Sequence, residues 1–422
     1  MTVDEHALTI PLFSIIVPIY NSSKHLEECI SSVLSQKSDS IELILIDDKS
    51  TDSSSSICDA YKSQKNIEVI YNQKNYGVGI SRNIGITAAR GKYVIFLDSD
   101  DRLHNGCLKG LESLTNKNPA ADVIIGKFLS DQSSYANDYM FEKYLELDTS
   151  DKFIAHLMEA DYRPNNVWHY VIKRSFMLQK DLKFIDAKVG EDQLFVAKML
   201  CLMENFEYYN EEFYWYRGGG IGLSRSIDLR TTESFLKIIF ELSKFRDQLL
   251  LSTEKYKFIG CRIAHASSEV AARVTLHEDE EIHELAIVLE KMCRTHNIAK
   301  HMFEKYDYKI LQGGKEDYFA SLLEYRQTII DCTSKIIEDV EGKYDYIYIY
   351  CVSVFALATL RIIRINGYDI ECFLDENNAF RGKKYSGVTV KTPSSALLKI
   401  KNSKIPKILV IVCNQQEKTL NK

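Results

Sequence analysis

Over residues 13–101, short apolar runs alternate with segments of helical periodicity, and the runs stop at proline, polar or acidic clusters. This alternation leaves few folds open. Strands separated by helices pair mostly in parallel, because each helix returns the chain to the same edge of a sheet. Phe13 to Val17 is a short run, apolar except for Ser14, that stops at Pro18. Leu26, Cys29, Ile30, Val33 and Leu34 then share one helical face. Ile41 to Ile46 reads as a second strand, broken by Asp47-Asp48, and Ser50 to Ser53 offer N-caps for a second helix. Ile67 to Tyr71 is a third strand. Ile80, Ile84 and Ala88 mark a helix stopped by Gly91, and Tyr93 to Leu97 is a fourth strand. The expected fold class is α/β, a mostly parallel sheet flanked by helices.

In an open parallel sheet, ligands bind beyond the carboxyl ends of the strands. Pro18 to Asn21, Asp47-Asp48 and Asp98 to Asp101 all occupy such ends, so three polar clusters point to one crevice. Several acids in one crevice repel one another unless donor hydrogens or a cation compensate. A divalent ion with oxygen ligands does so, keeps positions open for a diphosphate, and neutralises charge growing on a departing diphosphate.

Four stretches sharpen this reading: Ser14-Ile-Ile-Val-Pro-Ile-Tyr-Asn21, Ile44-Leu-Ile-Asp-Asp-Lys-Ser-Thr-Asp52, Asn75-Tyr-Gly77 with Ser81-Arg-Asn83, and Gly91-Lys-Tyr-Val-Ile-Phe-Leu-Asp-Ser-Asp-Asp101. In this order and spacing, residues 13–101 resemble the donor half of an inverting family-two glycosyltransferase of the GT-A fold. The resemblance implies a UDP-sugar donor and Mn²⁺ or Mg²⁺ as cofactor. It places Pro18 and Tyr20 at the nucleoside, Asp48 at the uracil ring, and Asn75 and Arg82 by the base and sugar. It places Asp98 and Ser99 with the donor and Asp100 on the metal.

A looser resemblance continues to about Ser226. Val167 to Phe176 is similar to the family's acceptor-side segment, which makes Trp168 and His169 acceptor candidates, although a packed histidine is the plainer reading. Gly190-Glu-Asp-Gln-Leu-Phe195 resembles the family's Glu-Asp motif, with Glu191 on the acceptor side and Asp192 as general base. An acceptor hydroxyl needs such a carboxylate to take its proton as the new bond forms. The implied outcome is inversion, by analogy with inverting glycosidases. The same two acids also suit a helix N-terminus. Phe213-Tyr-Trp-Tyr-Arg-Gly-Gly-Gly220 combines aromatics, for a core or a sugar platform, with glycines that permit a mobile loop. In similar enzymes this loop closes over the diphosphate, making Arg217 and Ser224 candidate phosphate contacts.

Beyond Thr231 the pattern changes. Phe235, Ile238, Ile239 and Leu242 have helical spacing, and no proline occurs between Pro164 and Pro393. Glu278 to Glu281 reads as a solvated helix end. Tyr344 to Tyr350, a helix through Leu357, Leu360 and Ile363 with Gly367 as cap, Asp369 to Leu374 and Ile408 to Val412 form a second α/β pattern. It resembles the start of a Rossmann-like domain. Cys351, Ser353 and Ala356 stand where a dinucleotide loop needs glycines, so Asp375 at the second strand's end is not read as a ribose ligand. The expected domains are 1–228 (GT-A), 229–341 (helical) and 342–422 (Rossmann-like, small or cut short).

The whole chain excludes some classes. Its 53 basic and 59 acidic side chains leave a net charge of -6, which gives no general attraction for nucleic acid or anionic lipid. Ten cysteines without a C-x-x-C pair read as scattered buried thiols in a reducing compartment. Met1 to Pro11 lacks the pattern of a signal peptide, and no run approaches the ~18 apolar residues of a spanning helix. The expectation is a cytoplasmic protein with at most peripheral contact at the inner face of the membrane, acting on a glycan, lipid-linked or protein acceptor in bacterial surface glycan synthesis. Two rival readings stand beside it. A sugar-1-phosphate nucleotidyltransferase needs a Gly-rich loop where Tyr20-Asn-Ser-Ser23 lies, and a binding or scaffold role suits residues 230–422. Sugar, acceptor identity and oligomeric state are not legible.

Overall fold

The computed structural model describes residues 10–130 apart from 39, 147–218 apart from 161 and 163, and 226–278. It also describes shorter stretches after 279, chiefly 346–350, 354–365, 388–391 and 408–412. The chain divides into two compact units, Met1–Gly218 with Leu251–Phe258, and Gly219–Leu250 with Ile259–Lys422.

In the first unit, β1 (Phe13–Ile19), β2 (Ile41–Asp47), β3 (Ile67–Tyr71) and β4 (Tyr93–Phe96) alternate with α1 (Leu26–Leu34), α2 (Ser54–Tyr61) and α3 (Val78–Ala88). These four strands are parallel neighbours in the order β3-β2-β1-β4. Helix α1 buries Leu26, Cys29, Ile30 and Val33, the face that the spacing predicts, while Leu34 is partly buried. Cys29, Cys58 and Cys107 are buried free thiols. β1 continues through Pro18 to Ile19 rather than stopping. Its ladder with β4 has ended at Ile16↔Phe96, so no β4 partner asks for the hydrogen that proline lacks. The cap of α2 also differs in detail: Ser53 makes no side-chain cap bond, and the Ser54 N–H donates to Asp52 Oδ1 at 2.9 Å.

The remaining elements of this unit are β5 (Arg102–Leu103), α4 (Cys107–Lys117), β6 (Val123–Ser130), α5 (Ser150–Glu159), β7 (Tyr170–Lys173), α6 (Arg174–Gln179), α7 (Glu191–Leu202) and β8 (Phe206–Tyr216). Together the strands form one eight-stranded sheet, β3-β2-β1-β4-β7-β6-β8-β5. β7 is antiparallel to both β4 and β6, β5 is antiparallel to β8, and β6 and β8 are parallel. The sheet is thus mixed, with its β1–β4 half parallel. One continuous core joins Phe13, Ile15, Val17, Leu43, Leu45 and Ile95 of the sheet to the apolar faces of α1 and α4. Each such side chain contributes roughly 1.5–3 kcal/mol on burial.

The second unit contains α8 (Leu229–Gln248), whose N-cap Asp228 accepts from Thr231 N–H at 3.0 Å. Helix α9 (Thr253–Val274) follows it in the chain. Further on, β9 (Tyr346–Tyr350), α10 (Val354–Ile365), β10 (Cys372–Leu374), β11 (Lys384–Tyr385), β12 (Val388–Lys391) and β13 (Ile408–Val412) build a five-stranded sheet, β11-β12-β10-β9-β13. It is parallel except for β11. Cys351, Ser353, Gly367 and Asp375 lie outside the described residues. Among the described residues, no helix is long and apolar enough to cross a membrane.

Candidate active site

Parallel register assembles the site. Ile19 lies opposite Asp47, and Ile16 opposite Phe96. Tyr20, Asp48 and Asp98 therefore leave the sheet at one edge. The loops there are tied by short polar contacts. Asn21, held at φ 52°, accepts from Thr51 N–H at 2.7 Å, and Ser23 N–H donates to Asp52 Oδ2 at 3.0 Å. Tyr20 is half exposed, and Pro18 is buried within β1.

Asp48 is buried and fully engaged. Its Oδ1 accepts from Asn72 Nδ2 at 2.7 Å and Tyr76 N–H at 2.8 Å, and its Oδ2 accepts from Gly77 N–H at 2.7 Å. The carboxylate thereby fixes the turn into α3. Asn75 is exposed, and its Oδ1 also accepts from Gly77 N–H, at 3.1 Å.

The Ser81-Arg82-Asn83 triplet on α3 connects everything else. Ser81 Oγ accepts from the same Asn72 amide at 3.1 Å. Arg82 is buried and bridges two acids, Asp98 Oδ1 at 2.9 Å and Glu191 Oε1 at 2.8 Å. Asn83 makes a reciprocal pair with the Phe184 backbone, at 2.8 and 2.9 Å. Helix α3 can approach this closely because residue 79 is glycine. A Cβ there would stand 2.9 Å from Ile185 O and 3.0 Å from Glu191 Cγ. Gly190, at φ 75°, takes the left-handed conformation that starts α7. Phe184 stacks on Phe195 of α7 at 4.2 Å and meets Phe96 of β4 edge-on at 5.3 Å. The start of α7 is thus fastened beside the end of β4.

Electrostatics at this junction are strained by like charge. Burial, then the charge of Glu191, raises the Asp192 carboxyl well above the ordinary carboxylate range; Arg82 opposes this and Asp98 adds to it. Asp192 is half-buried, and its Oδ1 accepts from Gln193 N–H at 2.8 Å. Burial raises Glu191 as well, against the pull of Arg82.

The Asp98–Asp101 turn divides its labour. Asp101 is buried, accepting from the Tyr214 hydroxyl at 2.7 Å and from Arg217 N–H at 2.8 Å. Burial, then the charge of Asp98, pushes its carboxyl up to about 7, although both hydrogen bonds hold it down. Ser99 Oγ and Ser22 Oγ form a hydrogen bond of 2.6 Å. Asp98 is 28% exposed and Asp100 is exposed, and the loss of solvent around Asp100 together with the Asp98 charge raises Asp100. No group of three His, Cys, Asp or Glu side chains with metal-binding placement occurs among the described residues. The exposed Asp100 carboxylate, disfavoured by the charge of Asp98 beside it, does fit a divalent ion that keeps most of its shell as water and diphosphate oxygen. Arg217 braces the turn, donating from Nε to Asp100 O at 2.7 Å and from Nη2 to Glu28 Oε2 at 2.5 Å.

The other sequence candidates are buried or lie outside the described residues. Trp168 is buried, stacked on Tyr214 at 4.5 Å and on Tyr216 at 5.6 Å. His169 is buried beside it, and loss of solvent lowers it to about 4. Both belong to the packed aromatic layer, the plainer of the readings for the histidine. Ser224 lies outside the described residues. Sequence reasoning passed over Asn72, Ser81, Asn83, Asp101 and Tyr214 as working residues. Asn72 directly follows β3, so the strand-end rule that found Asp48 also finds it. Nothing in the aromatic run marks Tyr214 as the partner of an acid 113 residues away.

The fold and this acid-lined strand edge are those of a glycosyltransferase of the GT-A type. Comparison with known proteins agrees. The profile of Glycosyl transferase family 2 matches residues 14–184. An uncharacterized glycosyltransferase of Haemophilus influenzae is 43% identical over 218 residues, covering 51% of this chain and 83% of that protein. The chain belongs to glycosyl transferase family 2. GlyG, a glycosyltransferase of Streptococcus pneumoniae, is 28% identical over 252 residues, 58% of this chain and 79% of that one. TarP of Staphylococcus aureus, a poly(ribitol-phosphate) beta-N-acetylglucosaminyltransferase, is 31% identical over 212 residues, 48% of this chain and 61% of TarP. Among solved structures, residues 1–349 of S. aureus TarS share the fold, with TM-score 0.50 at 20% identity, covering 76% of this chain and 91% of that one.

Proposed function

We propose that this glycosyltransferase moves a hexose or N-acetylhexosamine from a UDP-sugar to an acceptor hydroxyl with inversion, in the synthesis of a bacterial surface glycan. The observation that carries the reading is the Arg82 bridge from Asp98 to Glu191, which draws the strand-end acids and the start of α7 into one site. TarP acts on poly(ribitol-phosphate), and TarS has been solved with UDP-GlcNAc, so N-acetylglucosamine is the first sugar to test.

Asp192 is the general base. The acceptor oxygen attacks the anomeric carbon, the bond from that carbon to the diphosphate oxygen breaks, and the acceptor proton passes to Asp192. The raised proton affinity of Asp192 suits this transfer, and the Gln193 N–H holds its other oxygen in place. Asp100, with Asp98 beside it, would hold Mn²⁺ or Mg²⁺, which when bound would offset charge growing on the leaving UDP. Tyr20, Asn75 and Ser99 border the donor. Asp48 shapes that border through the Tyr76-Gly77 turn, and Arg217 stands where a diphosphate would approach Asp100.

Asp192→Asn is expected to lower transfer by about 10²–10⁴-fold while UDP binding by calorimetry stays unchanged. Normal turnover in this variant would remove Asp192 as the base. Chelation of divalent ions should abolish transfer, added Mn²⁺ or Mg²⁺ should restore it, and Asp100→Ala should raise the metal concentration needed. Release of pyrophosphate from a nucleoside triphosphate would instead favour a nucleotidyltransferase.

A further inference from the structure

The opposite edge of the same sheet carries a cavity of about 390 Å³, lined by Arg90, Lys92, Thr115, Asn116, Lys173 and Arg174 among others. Leu12 and Tyr93 of its lining flank the starts of β1 and β4, and Lys173 ends the antiparallel β7. The seven residues of β1 separate this edge from Tyr20, a span of roughly 20 Å at ~3.3 Å per residue. The cavity is therefore distinct from the donor edge.

Its charge is one-sided. Four of the twelve lining residues are basic and none is acidic. Arg90 is neutralised by Glu42 at 2.8 Å, and that buried carboxylate is already saturated by Ser14 Oγ and the Arg90 and Gly91 N–H groups. Lys92, Lys173 and Arg174 have no carboxylate partner among the described residues. Lys173 Nζ donates only to the Pro119 carbonyl, at 2.8 Å, which leaves donor capacity. The Nε of Arg174 is buried with no acceptor. The backbone holds the cations together: Tyr93 pairs with Lys173, and Arg174 N–H donates to Lys92 O at 2.8 Å. No acid lines the cavity to offset these charges, and a buried donor without an acceptor is costly, so the arrangement suits an anion. Arginine and lysine with flanking hydroxyl and amide groups are phosphate-binding chemistry.

We propose that this cavity is a binding site for a phosphate-bearing ligand, separate from the donor site and held by Lys92, Lys173 and Arg174. The phosphate comes either from a free phosphorylated compound or from an anionic lipid headgroup.

The test uses the full chain and follows hydrogen–deuterium exchange with inorganic pyrophosphate as probe. Wild type should gain protection in residues 90–93 and 172–178, with affinity falling at least about tenfold in Lys92→Gln/Lys173→Gln and again in Arg174→Gln. Lys92 is exposed, so the single variant Lys92→Gln should fold normally and still show weaker protection. In parallel, co-sedimentation is measured with vesicles of pure phosphatidylglycerol and of pure phosphatidylcholine. Binding to the former alone, lost in the double variant, assigns the phosphate to a headgroup. Protection by pyrophosphate without vesicle binding assigns it to a free compound. No protection and no vesicle binding, or responses unchanged in the double variant, overturn the site. Because protection is read at these segments, a failed donor assignment does not alter the result.

Discussion

Arg82 shows how much one side chain decides. It is buried between Asp98 and Glu191, and its guanidinium lies 5.3 Å from the Phe184 ring centre. The charges of Asp98, Glu191 and Asp192 outweigh the effect of burial and keep it protonated. Removing it leaves Glu191 buried and unpaired, so Arg82→Met should destabilise the first unit by about 3–5 kcal/mol in denaturant titration. The same residues set the pH response. Asp192 must be ionised to accept a proton, so kcat/KM should rise with pH through a pKa above the ordinary carboxylate range. Glu191 raises that pKa and Arg82 lowers it. Glu191→Gln should therefore move the rising limb to lower pH, and Arg82→Met to higher pH. Limbs that moved together, or not at all, would disconnect this pair from the base.

At the scale of elements, the site depends on how closely α3, β4 and α7 approach. Gly79 permits the contact of α3 with residues 184–191, where an added Cβ would meet backbone at 2.9 Å. Gly79→Ala should cost about 1–3 kcal/mol as overpacking and should lower kcat by moving Asp192 relative to Asp98. Phe184→Ala removes the ring between Phe96 and Phe195 and should cost about 3–5 kcal/mol. The two substitutions test one claim from opposite sides, since one pushes α7 away and the other removes what holds it. A kcat unaffected by both, measured on folded protein, would show that the α3–α7 contact does not position the base.

For the whole molecule, both tryptophans, Trp168 and Trp215, fall in the first unit, so their fluorescence reports on that unit. Asp101 has its carboxyl raised to about 7 within the fold. A raised acid contributes stability that is present below its unfolded value near ~3.9 and is lost as pH rises through the folded value. The fluorescence midpoint of wild type should therefore fall across this window, and Asp101→Asn should flatten the fall. The parallel half, β1 to β4 with their helices, was written locally, in apolar runs, helical spacing and strand-end acids. The mixed half, β5 to β8, was not. β7 is only four residues long, and β6 and β8 pair across a register shift at Gly126 to Phe128, so no short-range period announces them. From the chain alone came the parallel donor half, its acid-bearing edge and the family. Tertiary structure alone decided that Arg82 pairs with Glu191, 109 residues away, and that Trp168 and His169 pack inward. The physical reason is range: propensity and periodicity act over a few residues, whereas ion pairing and burial depend on which distant segments meet.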